Sequence, residues 1–484
     1  MGRRISPGIQ FGGIPERSVM SRTLFDLAGN NTTVRREIIA GIATFAAMAS
    51  VLAVNPAILS TTGMDRSALV TATAVSVAVA SVLLALATNY PIVMGPGGGI
   101  NAYFAFTVCG MLGVPWRAAL GLVFYSGLLF LLISITGLRK KIVEVIPLEM
   151  KLAITCGIGL LCIFLGLKSS GIVVSNPDTL VALARISDPE CILALAGIIL
   201  TTALIWWKVR GAIIFGILAV TLIGALVSNA AGTGAVTQLP ASPVGMPASL
   251  APFFMQLDFV YFWTHLREAA GIVIALLFVD VFDNIGTLIG VCNRIGLLDE
   301  KGQIPKMDRA LLVDATAAMA GSCIGTSTVT CYIESAVGVE EGGRTGLTAI
   351  VSACCMLLAL PFTPLLVAIP PAATGAALVV IGIFMMQGAA EIDMRDFDKA
   401  VPAVITMVMI PFTFSISVGT GIGLIVYVGF MVGTKRARAV SGLAYVLAVL
   451  FLLQDLFSTG STTAKVSRSL QDPTCHCVSK GAGD

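Results

Sequence analysis

The sequence has little charge. Charged residues make up only 12% of its 484 residues, hydrophobic residues make up 56%, and the mean hydropathy is +0.93. Soluble globular domains carry roughly 25% charged residues, so this composition excludes a soluble protein and indicates a polytopic membrane protein. The net charge of +3 is too small to indicate a nucleic-acid partner.

Several signals are also missing. Residues 1–36 contain six arginines and no apolar run, which predicts a cytoplasmic segment and not a signal peptide. A Gly-x-x-x-x-Gly-Lys-Ser/Thr motif is lacking, which argues against direct ATP drive. The eleven cysteines lie mostly in apolar segments and predict reduced packing residues without a disulfide framework. The tail cluster Cys475-His476-Cys477 is a weak metal signal, so we predict no metal and no cofactor other than a coupling proton.

Long apolar runs fill most of the chain, and each is a candidate membrane crossing. The first seven lie at 37–60, 67–88, 92–111, 116–137, 150–167, 190–208 and 210–229. The second seven lie at 268–291, 308–323, 326–338, 344–367, 374–390, 399–416 and 418–433. The run at 439–456 is either a further crossing or an interfacial helix. We therefore predict an all-α polytopic protein with 14 crossings.

The distribution of Lys and Arg predicts the orientation. With the N-terminus inside, the outer side keeps five of the 30 basic residues and the cytoplasmic side takes the other 25, tail included. The five on the outer side are Arg66, Arg117, Lys168, Arg185 and Arg267. The linkers 168–189 and 230–267 are predicted to lie outside, the second ending in an aromatic segment at the membrane interface.

Two of the apolar runs contain helix-breaking sequence. Residues 95–99 are Gly-Pro-Gly-Gly-Gly, and residues 325–330 are Gly-Thr-Ser-Thr-Val-Thr. Broken backbone at membrane depth is tolerated only inside protein or beside a polar cavity, so Gly97, Gly98, Gly99, Thr328 and Thr330 are predicted to supply such backbone. A shift of about 230 residues superposes the two breaks, which predicts two inverted repeats with a transport site where the breaks meet.

Polar side chains close to these breaks predict a binding site. Asn101 and Glu334 follow the breaks, where short helices should present N–H groups and a positive dipole end. Asp280 and Asp283 are three residues apart in an apolar run, and so share one side of a helix. These groups complement a planar heterocycle with alternating donors and acceptors. Candidates for stacking on it are Phe104, Phe282 and Tyr332.

Burial raises the pKa of a carboxyl group, which makes Asp280, Asp283 and Glu334 candidates for proton coupling. Each polar candidate also has a structural alternative. Asp280 would pair with a backbone group or a cation, Asp283 would brace packing, and Glu334 would cap its own helix. Asn101 would satisfy the broken backbone, and Asn55 before Pro56 would mark a kink with a satisfied amide and no ligand contact.

Several of these stretches resemble the AzgA-like purine permeases of the nucleobase–cation symporter-2 group, over roughly residues 37–455. The specific motifs are Phe-Val-Asp-Val-Phe-Asp-Asn-Ile-Gly-Thr-Leu at 278–288, Gly-Thr-Ser-Thr-Val-Thr-Cys-Tyr-Ile-Glu-Ser-Ala at 325–336 and Gly-Gly-Arg-Thr-Gly-Leu-Thr at 342–348. Further matches are Asn-Pro-Ala-Ile-Leu at 55–59, Gly-Ile-Asn-Ala-Tyr-Phe-Ala-Phe at 99–106 and Ile-Pro-Phe-Thr-Phe-Ser-Ile at 410–416.

The resemblance implies proton-coupled import of adenine, guanine or hypoxanthine across the cell membrane, and allows homodimers through the gate domain. It implies substrate contacts at Asn101, Asp280 and Glu334, with Asp283 important for transport. It also implies seven-plus-seven inverted repeats, with a substrate-carrying core domain and a gate domain. The implied divisions are 1–36 cytoplasmic, 37–137 and 268–367 core, 150–229 and 374–433 gate, 230–267 outer linker, and 439–484 extra helix and tail.

The chain departs from the family pattern at three places. These are the glycine-rich break at 95–99, Asn284 in place of a usual Thr, and Ser417-Val418 in place of an Ala-Asp/Asn pair. The first two flank the predicted site and put the substrate preference in doubt.

Other functions remain as rivals. A carrier of another nucleobase or of an anion fits the same fold, although an anion carrier would be expected to place a cation near the breaks. A membrane-embedded enzyme using the acids would release an altered product. A non-transporting nucleobase sensor would fail to show counterflow.

Overall fold

In the computed structural model, the described part of the chain runs from residue 25 to residue 452, with gaps at 137–147, 177–178, 210, 228–233, 241, 296–304, 414–415, 443, 446–447 and 450. The side chains of Phe282 and Asp283 also lie outside the described set. Predictions for 1–24 and for the tail beyond 452 therefore fall outside the described residues, as does most of what concerns 439–456.

The described chain is mostly helical. Its first part contains α1 (Val34–Met48), α2 (Val51–Leu59), α3 (Arg66–Thr88), β1 (Met94–Pro96), α4 (Gly98–Ala102), a π-helix (Tyr103–Met111), α5 (Trp116–Thr136), α6 (Leu148–Ser169), β2 (Val173–Asn176), β3 (Leu180–Leu183), α7 (Pro189–Trp206) and α8 (Ala212–Gly224). Its second part contains α9 (Val260–Thr264), α10 (Leu266–Ile295), α11 (Met307–Ile324), β4 (Val329–Cys331), α12 (Ser335–Glu340), α13 (Gly346–Leu358), α14 (Thr363–Val367), α15 (Pro371–Met385), α16 (Phe397–Thr413) and α17 (Ile416–Gly433).

Seven helical stretches in the described residues are long and apolar enough to cross a membrane. They are Val34–Thr62, Arg66–Thr88, Trp116–Thr136, Glu149–Ser169, Pro189–Trp206, Gly346–Val367 and Pro371–Glu391. Two shorter apolar helices accompany them, Ala212–Gly224 and Val418–Gly433. The protein is therefore a multi-pass membrane protein, as the composition predicts.

The helices pack in two groups. In the first group, α3 contacts α2, α11 and α13, while α5 contacts α10 and α11. In the second group, α6 contacts α15 and α16, and α7 contacts α8 and α15. The groups meet where α4 contacts α6 and where α2 contacts α15. This contact zone places the first broken segment, through α4, against the second group.

The linker 168–189 contains a β-hairpin that an all-α prediction does not include. Strands β2 and β3 pair antiparallel, with Val173 opposite Leu183 and Asn176 opposite Leu180. The β-branched and aliphatic residues of Val173-Val174 and Leu180–Leu183 favour extended backbone once the helix has ended. The hairpin forms a sheet of its own, separate from β1 and β4 of the broken segments.

A buried carboxylate joins the first helix to the loop before α13. Glu37 is fully buried, and it accepts hydrogen bonds from Arg344 N (2.9 Å), Thr345 N (3.3 Å) and Thr348 Oγ1 (2.7 Å). We call these four residues the Glu37 node. A buried charge with three donors is well compensated, so the node stabilises the fold and explains the Gly-Gly-Arg-Thr-Gly-Leu-Thr motif structurally.

Candidate functional site

The two broken segments meet as a short antiparallel sheet. Strand β1 pairs with β4, with Met94 opposite Cys331, Gly95 opposite Thr330 and Pro96 opposite Val329. Short helices follow both strands, α4 after β1 and α12 after β4. The sheet therefore brings the starts of two short helices from distant parts of the chain to one place.

A cavity lies at this meeting point, and we call it the central cavity. It measures about 100 Å³, below the roughly 300–1,000 Å³ of pockets for drug-sized ligands, and so favours a small ligand. Its polar and backbone lining comes from Ser50, Asn55, Pro96, Gly97, Gly98, Gly99, Thr287, Thr330, Cys331, Tyr332 and Glu334. Its apolar lining comes from Val51, Val54, Ile58 and Ile333, and from Ile381 and Met385 of α15. Both helix groups therefore contribute walls.

The glycines at the first break have different surroundings. A Cβ on Gly99 would lie 2.2 Å from Ile158 Cγ2 of α6, so only glycine allows α4 to approach the second helix group this closely. A Cβ on Gly97 would lie 3.1 Å from Thr330 Cγ2, whereas a Cβ on Gly98 would meet no atom within 4 Å. Gly98 is therefore the glycine of this break that leaves open space in the cavity wall.

Tyr332 fastens the second broken segment to the first. Its hydroxyl donates to Pro96 O (2.5 Å), and its backbone N–H donates to Val93 O (2.9 Å). A Cβ on Gly95 would lie 3.0 Å from Tyr332 Cε2, so the ring packs directly over that glycine. The predicted stacking residue thus lines the cavity and also holds the two strands in register.

Asn101 reaches the cavity through a second asparagine. Asn101 is fully buried on α4, and its side-chain amide donates to Asn55 Oδ1. Asn55 lines the cavity and donates to Thr73 Oγ1 (2.8 Å) and Thr326 Oγ1 (3.3 Å). The network connects α2, α3, α4 and the segment before β4, so it fixes the orientation of the Asn55 amide at the cavity wall.

Glu334 is the carboxylate at the cavity wall. It is half-buried at the position that precedes α12, and its backbone oxygen accepts a hydrogen bond from Val337 N (3.0 Å). No Lys, Arg or His belongs to the described residues that line this cavity. The site therefore presents one acidic acceptor among neutral donors and acceptors.

Helix α10 brings a polar face to the same region. Asp280 is buried with 3% of its surface exposed, and Thr287, seven residues later, lines the cavity. Residues seven apart fall on one helix face, and Asn284 lies between them on that face. Asn284 is fully buried, and neither polar atom of its amide has a hydrogen-bond partner among the described residues. Since α10 packs against β4 and α12, this face is directed towards the place where the two broken segments meet.

The other predicted residues have different positions. Phe104 has 1% of its surface exposed and belongs to the hydrophobic core, so it lies outside the cavity lining. Thr328 is buried directly before β4, whereas Thr330, within β4, lines the cavity. The side chains of Phe282 and Asp283 lie outside the described set.

Several buried polar atoms around the meeting point of the two broken segments have no hydrogen-bond partner among the described residues. They are Asn101 Oδ1, the two amide atoms of Asn284, and the hydroxyl oxygens of Ser327, Thr328 and Thr330. Unsatisfied buried polar groups are uncommon in folded proteins, and a local group of them points to water or ligand contacts. The polar atoms at this meeting point are therefore available to hydrogen-bond a polar molecule.

Sequence reasoning missed several lining residues. From the sequence, Asn55 is interpreted as the mark of a kink, and Thr287, Ile381 and Met385 are not chosen as site residues. All four line the central cavity. The signal for Asn55 is an amide inside an apolar run directly before Pro56. The α15 residues are apolar within an apolar helix, so a single sequence carries no signal for them.

Comparison with known proteins adds a family and a fold. A family model described as "Permease family" matches residues 35–422. Adenine permease AdeP of Escherichia coli is 37% identical over 440 residues, covering 90% of this chain and 96% of that protein. Guanine/hypoxanthine permease PbuG of Bacillus subtilis is 38% identical over 450 residues, covering 90% of this chain and 99% of that protein.

A solved structure shares the fold. The transmembrane domain of the cyanobacterial bicarbonate transporter BicA superposes with a TM-score of 0.61 at 15% identity, covering 80% of this chain and 97% of that one. At this identity the likeness concerns the fold alone.

Proposed function

The chain belongs to the permease family whose model matches residues 35–422, a transporter and not an enzyme, and we propose that it imports purine nucleobases by proton symport. The observation that carries this proposal is the central cavity, where two broken segments and α2 present Glu334, Asn55 and Tyr332 to one small space. The relatives named for adenine and for guanine/hypoxanthine transport support the purine class.

The donor and acceptor pattern of the cavity suits a purine ring. The Glu334 carboxylate accepts hydrogen bonds from ring N–H groups, and the Asn55 amide lies across the same cavity. Tyr332, Ile58 and Ile381 offer apolar surface for the faces of a flat ring. Asp280 and Asn284 add polar groups behind this wall, on the α10 face that they share with Thr287.

We assign proton coupling to the acids of this region, Glu334, Asp280 and Asp283. A carboxyl group withdrawn from water exchanges a proton more readily near neutral pH, because desolvation disfavours its charged form. Proton binding at such a group alters the hydrogen bonds that the group offers to the substrate. Movement of the proton is thereby coupled to movement of the substrate.

We further propose alternating access through motion of the first helix group against the second. The central cavity lies between the groups, with Ile381 and Met385 of α15 facing Asn55 and Glu334. The pairing of β1 with β4 supports two inverted repeats and 14 crossings, with core and gate domains as divided in the sequence analysis. The excess of Lys and Arg on one side supports a cytoplasmic N-terminus in the cell membrane, and a homodimer through the gate domain fits this arrangement.

An anion carrier is the second candidate, because the fold is shared with a bicarbonate transporter. The lining of the central cavity favours the purine. Among the described lining residues the ionisable groups are Cys331, Tyr332 and Glu334, and a lining with an acid but no Lys, Arg or His disfavours an anion.

Uptake into proteoliposomes tests the proposal. Labelled adenine, guanine, hypoxanthine, xanthine and uracil are offered at two external pH values, with and without a protonophore. We expect purine uptake that increases at the lower external pH and falls when the protonophore is added. Uptake of bicarbonate but of no nucleobase would overturn the proposal.

Glu334→Gln is the matched variant. It removes the charge but keeps the shape, and a charge-assisted hydrogen bond is worth roughly 1.5–3 kcal/mol, so purine affinity should fall about tenfold to a hundredfold. Glu340→Gln, at the other end of α12 and exposed, is the control and should leave affinity unchanged. Equal affinities for the wild type and Glu334→Gln would remove the carboxylate from the site.

A further inference from the structure

A second, larger cavity lies next to the central cavity. It measures about 460 Å³, within the roughly 300–1,000 Å³ typical of small-molecule sites. Its walls come from the end of α2, the start of α3, the end of α6 and the start of α15. We call this space the vestibule.

The vestibule and the central cavity share one residue, Ile58. Helix α15 runs along both spaces, because Thr374 and Leu378 line the vestibule while Ile381 and Met385 line the central cavity. Ile58 and Leu378 are buried, with only 3% of their surfaces exposed. The two spaces therefore adjoin at Ile58, and both lie between the two helix groups.

The vestibule differs from the central cavity in charge. Arg66 and Lys168 line it, from the start of α3 and the end of α6, together with hydroxyl groups such as those of Ser169 and Thr374. Phe106 adds an aromatic ring. The space thus combines two cations, hydroxyls and apolar surface, a combination that suits a partly apolar ligand with hydrogen-bond acceptors.

Arg66 has donor capacity beyond its structural contact. Its Nη2 donates to Ile369 O (2.9 Å), which attaches the start of α3 to the loop before α15. Its Nε is buried and has no partner among the described residues. The carboxylate of the neighbouring Asp65 is engaged within its own turn, where Oδ1 accepts from Ser67 Oγ (2.5 Å) and Ala68 N (2.8 Å). These hydrogen bonds hold the pKa of the Asp65 carboxyl below its usual value.

A further acid, Glu190, lies near Arg66. It lines an adjacent crevice in which Arg66 also takes part, but it is not part of the vestibule lining. Both lining groups with a full charge in the vestibule are therefore positive.

We infer that the vestibule is a selectivity site for 6-oxopurines, which pass it on their way to the central cavity. This inference rests on the proposed function. Arg and Lys pair with the adjacent O6 and N7 acceptors of guanine, and hypoxanthine carries the same two acceptors. Adenine presents an amino donor in place of O6, and a cation repels that group. Arg66 and Lys168 therefore favour guanine and hypoxanthine over adenine at the entrance.

Transport kinetics in proteoliposomes test the inference with labelled hypoxanthine and adenine. Lys168→Gln should raise KM for hypoxanthine about two- to fivefold, because Lys168 is exposed and its contribution is screened by water. Arg66→Gln should raise it about tenfold, since this guanidinium is partly buried. In both variants KM for adenine should stay within twofold of the wild type, and Lys168→Arg should restore the hypoxanthine value.

Two controls separate a selectivity site from a general effect. Lys435→Gln removes an equal charge at an exposed position that is not part of the vestibule lining, and should leave both KM values unchanged. An equal rise of KM for hypoxanthine and adenine in Lys168→Gln and Arg66→Gln would overturn the inference. A wild type that carries adenine but no 6-oxopurine would overturn it while leaving the proposed function intact. A wild type that carries no purine would overturn both.

Discussion

The Glu37 node and the central cavity are both polar regions inside an apolar protein, but their hydrogen bonding differs. Glu37 accepts three hydrogen bonds within the protein. Around the central cavity, Asn101 Oδ1, the Asn284 amide and the Thr330 hydroxyl have no partner among the described residues. From this difference we infer that Glu37 serves the fold, whereas the polar atoms without partners around the cavity are available to a ligand.

The largest effect on stability is expected from Glu37→Ala. The substitution leaves two backbone N–H groups and one buried hydroxyl without their acceptor, and each such loss costs roughly 1–3 kcal/mol. Three such losses give a total of at least about 3 kcal/mol, measured as a lower melting temperature and a lower yield of monodisperse protein in detergent. A melting temperature equal to that of the wild type would contradict the structural role of the node.

A smaller effect is expected at the first break, and it separates packing from binding within the cavity wall. Gly99→Ala forces a methyl group against Ile158 and should cost about 1–3 kcal/mol. Gly98→Ala meets open space, so it should melt like the wild type but weaken purine binding, because its methyl group enters the cavity. Identical melting curves for the two variants would show that α4 does not approach α6 as described.

The smallest effects are expected from a matched pair of threonines, both buried. Thr348→Val removes a hydroxyl that donates to Glu37 at 2.7 Å, and should cost about 1–2 kcal/mol. Thr328→Val removes a hydroxyl that has no partner among the described residues, and should change stability by less than about 0.5 kcal/mol. Thermal unfolding of the two purified variants measures both, and a reversed order would contradict the distinction between the two regions.

Part of this fold was predictable from the sequence. The long apolar runs predict the multi-pass helical protein, since a bilayer crossing requires a long, mostly apolar segment. Gly95–Gly99 and Gly325–Thr330 point to interrupted backbone, and the structure has strands at 94–96 and 329–331. The register of those strands and the π-helix after Ala102 depend on tertiary packing, for which one sequence holds no signal.

The site was predictable in its chemistry more than in its geometry. Glu334, Tyr332 and Gly97–Gly99 line the cavity. They could be selected from the sequence because acids and helix breaks in apolar runs are costly unless they serve a site. Which of two asparagines faces the cavity is not recoverable in this way. Asn55 and Asn101 are 46 residues apart, and only their contact in the fold shows that Asn55 forms the wall while Asn101 lies behind it.

The most direct test of the difference between the two regions measures binding and stability on the same preparations. Hypoxanthine affinity, by titration calorimetry, and melting temperature are determined for the wild type, Glu37→Gln and Glu334→Gln in detergent. We predict that Glu334→Gln loses about tenfold or more in affinity at an unchanged melting temperature, and that Glu37→Gln melts lower while its folded fraction binds like the wild type. Wild-type affinity in Glu334→Gln, or a loss of affinity in Glu37→Gln without a change in melting, would contradict this account.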